Sequence, residues 1–361
     1  MIFAGEILAG FLIDRAPLEI RFPEAFETIR AARWRGRPPD VVFFGGSRFL
    51  SQFSAEIVQQ ELATTTSDDL PLVLNAAMGA ADPVTFDFLS ARLLEAGVRP
   101  SVAVVEISPE TVSRRTWLLT GHLTRHLTWA DVINFLPDVL YSNAVPRLLA
   151  TRFIPVYFFR HEFRRWASES TGLQSPSCCR VDRTNPPQTE KSRYDDMTLA
   201  ERLILQAREN SGRLHRFQIG GFSARALERM LERYRSFGVT TILLGVPVSS
   251  PSRAVYVPEI DAAFLAYMQK MRERYGVYFF DYRDRIPDEL FRAAYYTTPR
   301  GTSYVSRLVA REILAPLWQN RNSRSDGGGA KIVTHPSSGA TNDLYSQKGG
   351  NNVEHKIPEH R

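Results

Sequence analysis

The run DVVFFGG (40–46) ends in two glycines and leads directly into Ser47 and Arg48. A serine at a glycine-rich turn after a strand has two chemical advantages. Its hydroxyl is held clear of the sheet, and the backbone N–H groups of the turn can stabilise an oxyanion. Three other apolar runs end in comparable blocks: Asn75-Ala76-Ala77-Met78-Gly79, Glu106-Ile107-Ser108-Pro109 and Gly245-Val246-Pro247. If the runs are parallel strands, these blocks meet beyond the carboxyl ends of the sheet, where ligands bind. Each residue also has an ordinary structural role open to it. Ser47 and Asp82 can cap helices, and Gly79 can permit a turn. Glu106, a carboxylate ending a buried strand, needs a partner, and Arg48 can supply it. Asp281, ending FFD, reads as a turn or cap residue.

Other chemistry is thinly represented. His122 and His126, in GHLTRHL, are four apart and would share a helix face. No His-Glu-x-x-His arrangement and no third ligand accompany them, so they read as lining a polar face. His161 and His215 sit in arginine-rich helical contexts and read as surface residues. Cys178 and Cys179 are neighbours, which rules out a disulfide framework and a cysteine-based zinc site. The sequence thus calls for no metal and no cofactor.

The elements that would position the strand-end residues share one grammar. Each of three passages has an amphipathic helix, then Gly-Val, then a β-branched or aromatic run. In PVTFDFLSARLLEAGVRPSVAVVEIS, Asp82 can cap the helix with Pro83 in its first turn, and Phe86, Leu89 and Leu93 share a face. In SARALERMLERYRSFGVTTILLGVP the inward residues are Leu227, Met230, Leu231 and Tyr234. In EIDAAFLAYMQKMRERYGVYFFDY they are Ile260, Phe264, Met268 and Met271. Gly97, Gly238 and Gly276 fit the helix stops. Earlier strands are expected at 40–46 and 71–77, with a helix from about Ala55 to Leu62 between them. The strands are continuous apolar runs, as buried parallel strands are. The expectation is an α/β fold, a three-layer α/β/α sandwich around a parallel sheet. A helical or extended lead-in occupies 1–34 and the domain 35–318. A helical insertion, about 110–195, breaks the rhythm as a cap or partner surface.

The order of these blocks resembles the SGNH, or GDSL-type, hydrolase superfamily, over roughly residues 35–318. The resemblance places Ser47, in Gly45-Gly46-Ser47-Arg48, at the nucleophile position. It places Gly79 where that family has a glycine whose N–H joins the oxyanion hole, together with the Ser47 N–H. Ser108 stands near the position of the Asn that normally donates to the same hole. The final block, normally Asp-x-x-His followed by Leu-Asn/Thr-x-x-Gly, corresponds to Ala293-Ala294-Tyr295-Tyr296-Thr297-Thr298-Pro299-Arg300-Gly301. The Thr-Pro-x-Gly frame survives. Ala293 takes the place of the Asp and Tyr296 that of the His. The same alignment puts Arg48, Asp82 and Glu106 in the crevice.

What the resemblance implies is acyl-ester hydrolysis or transfer through Ser47. What the departures imply is its loss. A serine hydroxyl is a poor nucleophile without a base beside it, a phenol accepts protons poorly at neutral pH, and Ala293 orients nothing. The alternative is a catalytically inactive module that keeps the crevice for a carbohydrate or acyl ligand, or that holds a protein partner at the membrane surface.

Composition sets the outer bounds. Of 361 residues, 43% are hydrophobic and 23% charged, so a core is affordable and wholesale disorder is excluded. The net charge of +6 comes largely from scattered arginine and gives no nucleic-acid footprint. Segment 155–166, PVYFFRHEFRRW, aligns Phe159, Phe163 and Trp166 on one helical stripe flanked by Arg160, Arg164 and Arg165. That stripe packs on the domain or associates weakly with an anionic membrane surface. The opening MIFAGEILAGFLID is shorter than the roughly 18 residues of a span and is interrupted by Glu6 and Asp14. It also lacks the marks of a signal peptide, which favours a cytoplasmic or peripheral membrane location over secretion. A start further upstream would leave room for an anchor. Residues 319–361 are polar, rich in Gly, Ser and Asn, and expected to be disordered, with His335, His355 and His360 solvated. Deleting 325–361 should therefore leave the melting temperature nearly unchanged. A drop of several degrees in a thermal melt would show that the tail docks on the domain.

Overall fold

A computed structural model of the chain describes residues 15–34, 36–65, 70–114 and 196–319, together with 136, 140, 145–154, 159, 160 and 164. The chain divides into two units, Met1–Pro316 and Leu317–Arg361. The fold described here is that of the first. Of the second, only 317–319 are described, as helix.

Five strands form a parallel sheet: β1 (Val41–Phe44), β2 (Val73–Asn75), β3 (Val102–Ile107), β4 (Thr240–Gly245) and β5 (Tyr278–Asp281), in the order β2-β1-β3-β4-β5. Parallel neighbours need crossovers, and helices supply them. These are α1 (Pro23–Trp34), leading in, then α2 (Ser47–Gln52), α3 (Ala55–Thr65), α4 (Pro83–Glu95), α5 (Pro109–Val112), α6 (Leu199–Ser211), α7 (Gly221–Ser236), α8 (Pro258–Tyr275) and α9 (Pro299–Val309). A two-stranded antiparallel hairpin, β6 (Phe291–Ala293) and β7 (Tyr296–Thr297), precedes α9. The expected α/β/α sandwich is what the chain forms. The strands are shorter than the apolar runs at 40–46 and 71–77, because residues at both ends of each run lie outside the sheet.

Period-two alternation sorts the sheet into two faces. On one face Val42, Phe44, Ala103, Val105, Ile107 and Leu243 pack with Phe86, Leu89 and Leu93 of α4. The inward residues of α7 and α8 join the same cluster: Leu227, Met230, Leu231 and Tyr234, then Phe264, Met268 and Met271. On the other face Phe43 stacks with Phe53 at 5.5 Å and meets Phe49 at 5.6 Å. Ile260, expected inward with its neighbours on α8, instead packs only partly buried in a smaller cluster with Val248, Tyr256 and Tyr295.

Local signals fix where the crossovers begin and end. Asp82 caps α4, its Oδ1 accepting from the Val84 and Thr85 N–H groups at 3.1 Å each. Gly276 ends α8 with φ +68°, a left-handed conformation that glycine adopts without cost. The expected insertion at 110–195 begins inside α5, and most of it, including His122, His126, Cys178 and Cys179, lies outside the described residues. Its departure and return are tied together. Arg114 N donates to Gln218 O at 2.7 Å and Gly220 N to Val112 O at 3.1 Å. Within it, a helix spans Val145–Phe153. Of segment 155–166, Phe159 is buried, Arg160 half-buried and Arg164 exposed, and the rest lies outside the described residues. The opening apolar stretch 1–14, the tail beyond 319 and His161 do as well. No helix among the described residues is long and apolar enough to cross a membrane.

Leu89 is fully buried between α4 and the sheet. Leu89→Ala should destabilise the domain by about 2–5 kcal/mol, read as a lower urea midpoint at unchanged slope. Leu265→Ala, on the exposed side of α8, should change stability by less than about 0.5 kcal/mol.

Candidate functional site

Strand order reverses between β1 and β3, which lie side by side. Chains leaving such neighbours depart to opposite faces and open a crevice above their carboxyl ends. Ser47 stands after β1 and Glu106 is the next-to-last residue of β3, so the blocks singled out in the sequence meet there. The turn after β2 joins them, since Met78 N donates to Gly45 O at 3.0 Å.

Ser47 is the first residue of α2 and is half-buried. Its Oγ lies 3.1 Å from Tyr296 Oη, and either hydroxyl can donate. Tyr296 opens β7, and Ala293 is its cross-strand partner in the hairpin. The hairpin is fastened beneath Ser47: Thr297 N donates to Ser51 Oγ at 3.1 Å and Thr297 Oγ1 to Ser51 O at 2.6 Å. Thr298 caps α9 by accepting from Gly301 N at 3.1 Å. A Cβ on Gly301 would lie 2.3 Å from Leu290 O, which is why that frame position holds a glycine. The guanidinium of Arg292 lies 5.8 Å from the Tyr296 ring centroid.

Beneath the serine turn lies a buried charged cluster. Arg48 places Nε 3.9 Å from Glu106 Oε1 and Nη1 3.6 Å from Glu110 Oε2. Its guanidinium also stacks 4.1 Å from the Tyr295 ring centroid. Glu106 Oε2 accepts from Gly46 N at 2.6 Å. Glu110 accepts from Tyr256 Oη at 3.0 and 3.1 Å and from Tyr295 Oη at 3.4 Å. Gln52 Nε2 donates to Pro247 O at 2.8 Å and Tyr295 O at 2.9 Å. Burial pushes the Glu106 carboxyl above the ordinary carboxylate range, with Arg48 and the Gly46 N–H opposing it. Burial pushes Glu110 the same way, but Arg48 and its hydrogen bonds outweigh that and hold it below the range. Burial raises the Tyr256 phenol, and the adjacent Glu110 raises it further.

Asp82, the α4 cap, is buried, and burial pushes its carboxyl up to about 6 against the Thr85 and Val84 hydrogen bonds that favour the anion. Gly79 is half-buried, its φ is not positive, and a Cβ there would meet nothing within 4 Å. The left-handed residue of that turn is Ala80, at φ +54°. The turn itself therefore does not require a glycine at 79. Ser108 is buried at the start of α5, where its N–H donates to Thr111 Oγ1 at 2.9 Å. No hydrogen bond joins Ser108 or Gly79 to Ser47 among the described residues. Asp281 is a structural group, bonded to Arg283 through Nε at 2.7 Å and Nη2 at 2.5 Å. His215 is exposed. No group of three or more metal-ligating side chains occurs among the described residues.

The structure thus unites Ser47 with Tyr296 and Arg48 with Glu106. Sequence reasoning missed Glu110, Tyr256, Tyr295 and Gln52. Glu110 left a faint signal, an acid four residues beyond Glu106 and just after a helix-starting proline. Tyr256 left none, since 146 residues separate it from Glu110.

No family model matches the chain, and no curated protein matches it. Among solved structures, similarity is found to a lipase/acylhydrolase from Enterococcus faecalis, at 13% identity and a TM-score of 0.37, covering 76% of this chain and 94% of that one. A second is LAE5, an alpha/beta hydrolase enzyme from the metagenome of Lake Arreo, Spain, at 11% identity and a TM-score of 0.35, covering 75% and 94%. Likenesses this distant carry no argument about chemistry.

The Asp82 carboxyl titrates at an ordinary 3.8 when unfolded and at about 6 when folded. The folded state binds that proton more tightly. Its stabilisation is complete below about 3.8 and is lost as pH rises through about 6. Asp82→Asn keeps a capping oxygen and removes the titration. Relative to the natural protein it should gain stability between pH 4 and pH 7, by up to about 3 kcal/mol, in paired urea titrations at the two pH values. An unchanged difference would place the Asp82 titration elsewhere.

Proposed function

We propose that this protein is a divergent SGNH/GDSL-type module whose crevice at Ser47 binds an acyl ester or a carbohydrate with little or no hydrolysis. The observation that carries the reading is the Ser47 Oγ–Tyr296 Oη contact of 3.1 Å. A serine activated for attack needs an acceptor for its proton. A phenol retains its own proton at neutral pH and serves as a poor base. The residue across the hairpin, Ala293, has no group to orient one. Paired hydroxyls instead offer a donor and an acceptor side by side, which suits a sugar hydroxyl or an ester carbonyl.

A second reading, slow acyl-ester hydrolysis or transfer by Ser47, draws on Gly79. Its glycine is not demanded by the turn and leaves open space above it, as close approach of an oxyanion to a backbone N–H would need.

Turnover, labelling and binding measurements separate the readings. The natural protein should hydrolyse p-nitrophenyl acetate at the rate of its Ser47→Ala variant, and Ser47 should label only weakly with a fluorophosphonate. The double change Ala293→Asp and Tyr296→His should raise Ser47-dependent turnover, on the order of 10²-fold for a restored general base. Calorimetry with acetylated oligosaccharides should detect binding that Tyr296→Phe weakens. Strong Ser47-dependent turnover by the natural protein refutes the binding reading and favours the enzyme.

A further inference from the structure

The geometry points to Glu106 as a positioning residue that, through Arg48 and Glu110, holds both ends of the Ser47–Tyr296 hydrogen bond and releases it when Glu106 takes up a proton. This role rests on reading that hydroxyl pair as the site. The serine end is seated on the carboxylate itself. Glu106 Oε2 accepts from Gly46 N at 2.6 Å, one residue before Ser47. The seat leaves no room for side chains: a Cβ on Gly45 would lie 2.9 Å from Glu106 Oε2, and one on Gly46 would lie 3.0 Å from Ala81 O. The tyrosine end is reached through Arg48, which lies against both carboxylates and stacks on Tyr295, the neighbour of Tyr296. Tyr295 Oη also donates to Glu110, and its carbonyl accepts from Gln52.

The cluster carries one cation between two acids, all buried. The groups facing Glu106 are Arg48, Glu110 and the N–H groups of Gly46 and Phe49. Its partner in β4 is Leu244, which has no charge to add. Beyond Arg48 stand Tyr295 and Tyr256. An ionised Glu106 grips both Gly46 and Arg48. A neutral one accepts more weakly and no longer attracts the guanidinium. Because burial raises the Glu106 carboxyl while Glu110 is held low, Glu106 protonates first as pH falls.

The test needs no ligand, so a failure to bind acyl esters or sugars leaves it standing, and its own failure leaves the binding reading standing. The protein is labelled with 13Cζ-tyrosine, the Tyr296 signal identified by its loss in Tyr296→Phe, and its unbonded position taken from Ser47→Ala. On acidification the Tyr296 signal should move toward the unbonded position, with a midpoint above 4.5, the ordinary value for Glu. The inflection should vanish in Glu106→Gln and persist in Asp82→Asn, which removes the other raised carboxyl among the described residues. The Gly46 amide signal of the natural protein should move with the same midpoint, a check that requires no variant at 106 to fold. A flat Tyr296 signal, an inflection surviving in Glu106→Gln, or a Gly46 amide that does not follow it overturns the role.

Discussion

A single guanidinium, Arg48, lies between two buried carboxylates, and the architecture of the crevice follows from satisfying that arrangement. Charges removed from water are tolerated only when paired and hydrogen-bonded. Glu106 and Glu110 both approach Arg48, at 3.9 and 3.6 Å. The lone pairs that remain are met by a backbone N–H on one side and by two phenols on the other. Those donors and Glu110 itself come from four separate stretches of chain. The cluster therefore sets the serine turn, the start of α5, the loop after β4 and the β6–β7 hairpin in register with one another.

The sheet explains why these stretches converge. With all five strands parallel, every strand delivers its carboxyl end to the same edge. The order reverses between β1 and β3, and that reversal opens a gap in which polar groups gather. Among the described residues, other buried charges are paired elsewhere, Asp87 with Arg229 and Arg233, and Arg283 with Asp281 and Asp261.

The hairpin beside Ser47 is held by contacts that do not involve the hydroxyl pair itself. It is fastened to α2 through Thr297 and Ser51, and Gly301 fits under Leu290. Those contacts keep Tyr296 beside the serine, giving a pair of hydroxyls with Arg292 next to them.

The sequence by itself determined the layered α/β architecture, because buried parallel strands and the helices crossing over them write long apolar runs and 3.6-residue stripes that local rules detect. Phe86, Leu89, Leu227 and Met268 were legible as core for that reason, as was Asp82 as a cap, its bonds reaching only two and three residues ahead. Ser47 and Tyr296 were legible as candidates from block order alone. Their contact was not, since it spans 249 positions, and no local pattern encodes a distance between residues so far apart. Tyr256 and Tyr295 were silent for the same reason, and Glu110 left only a faint signal. A glutamate three residues past a strand and a tyrosine in a loop look like solvent-facing residues until they are buried by the fold. Only the tertiary structure decided that these groups are buried together, and burial is what turned ordinary side chains into a charged cluster with shifted protonation.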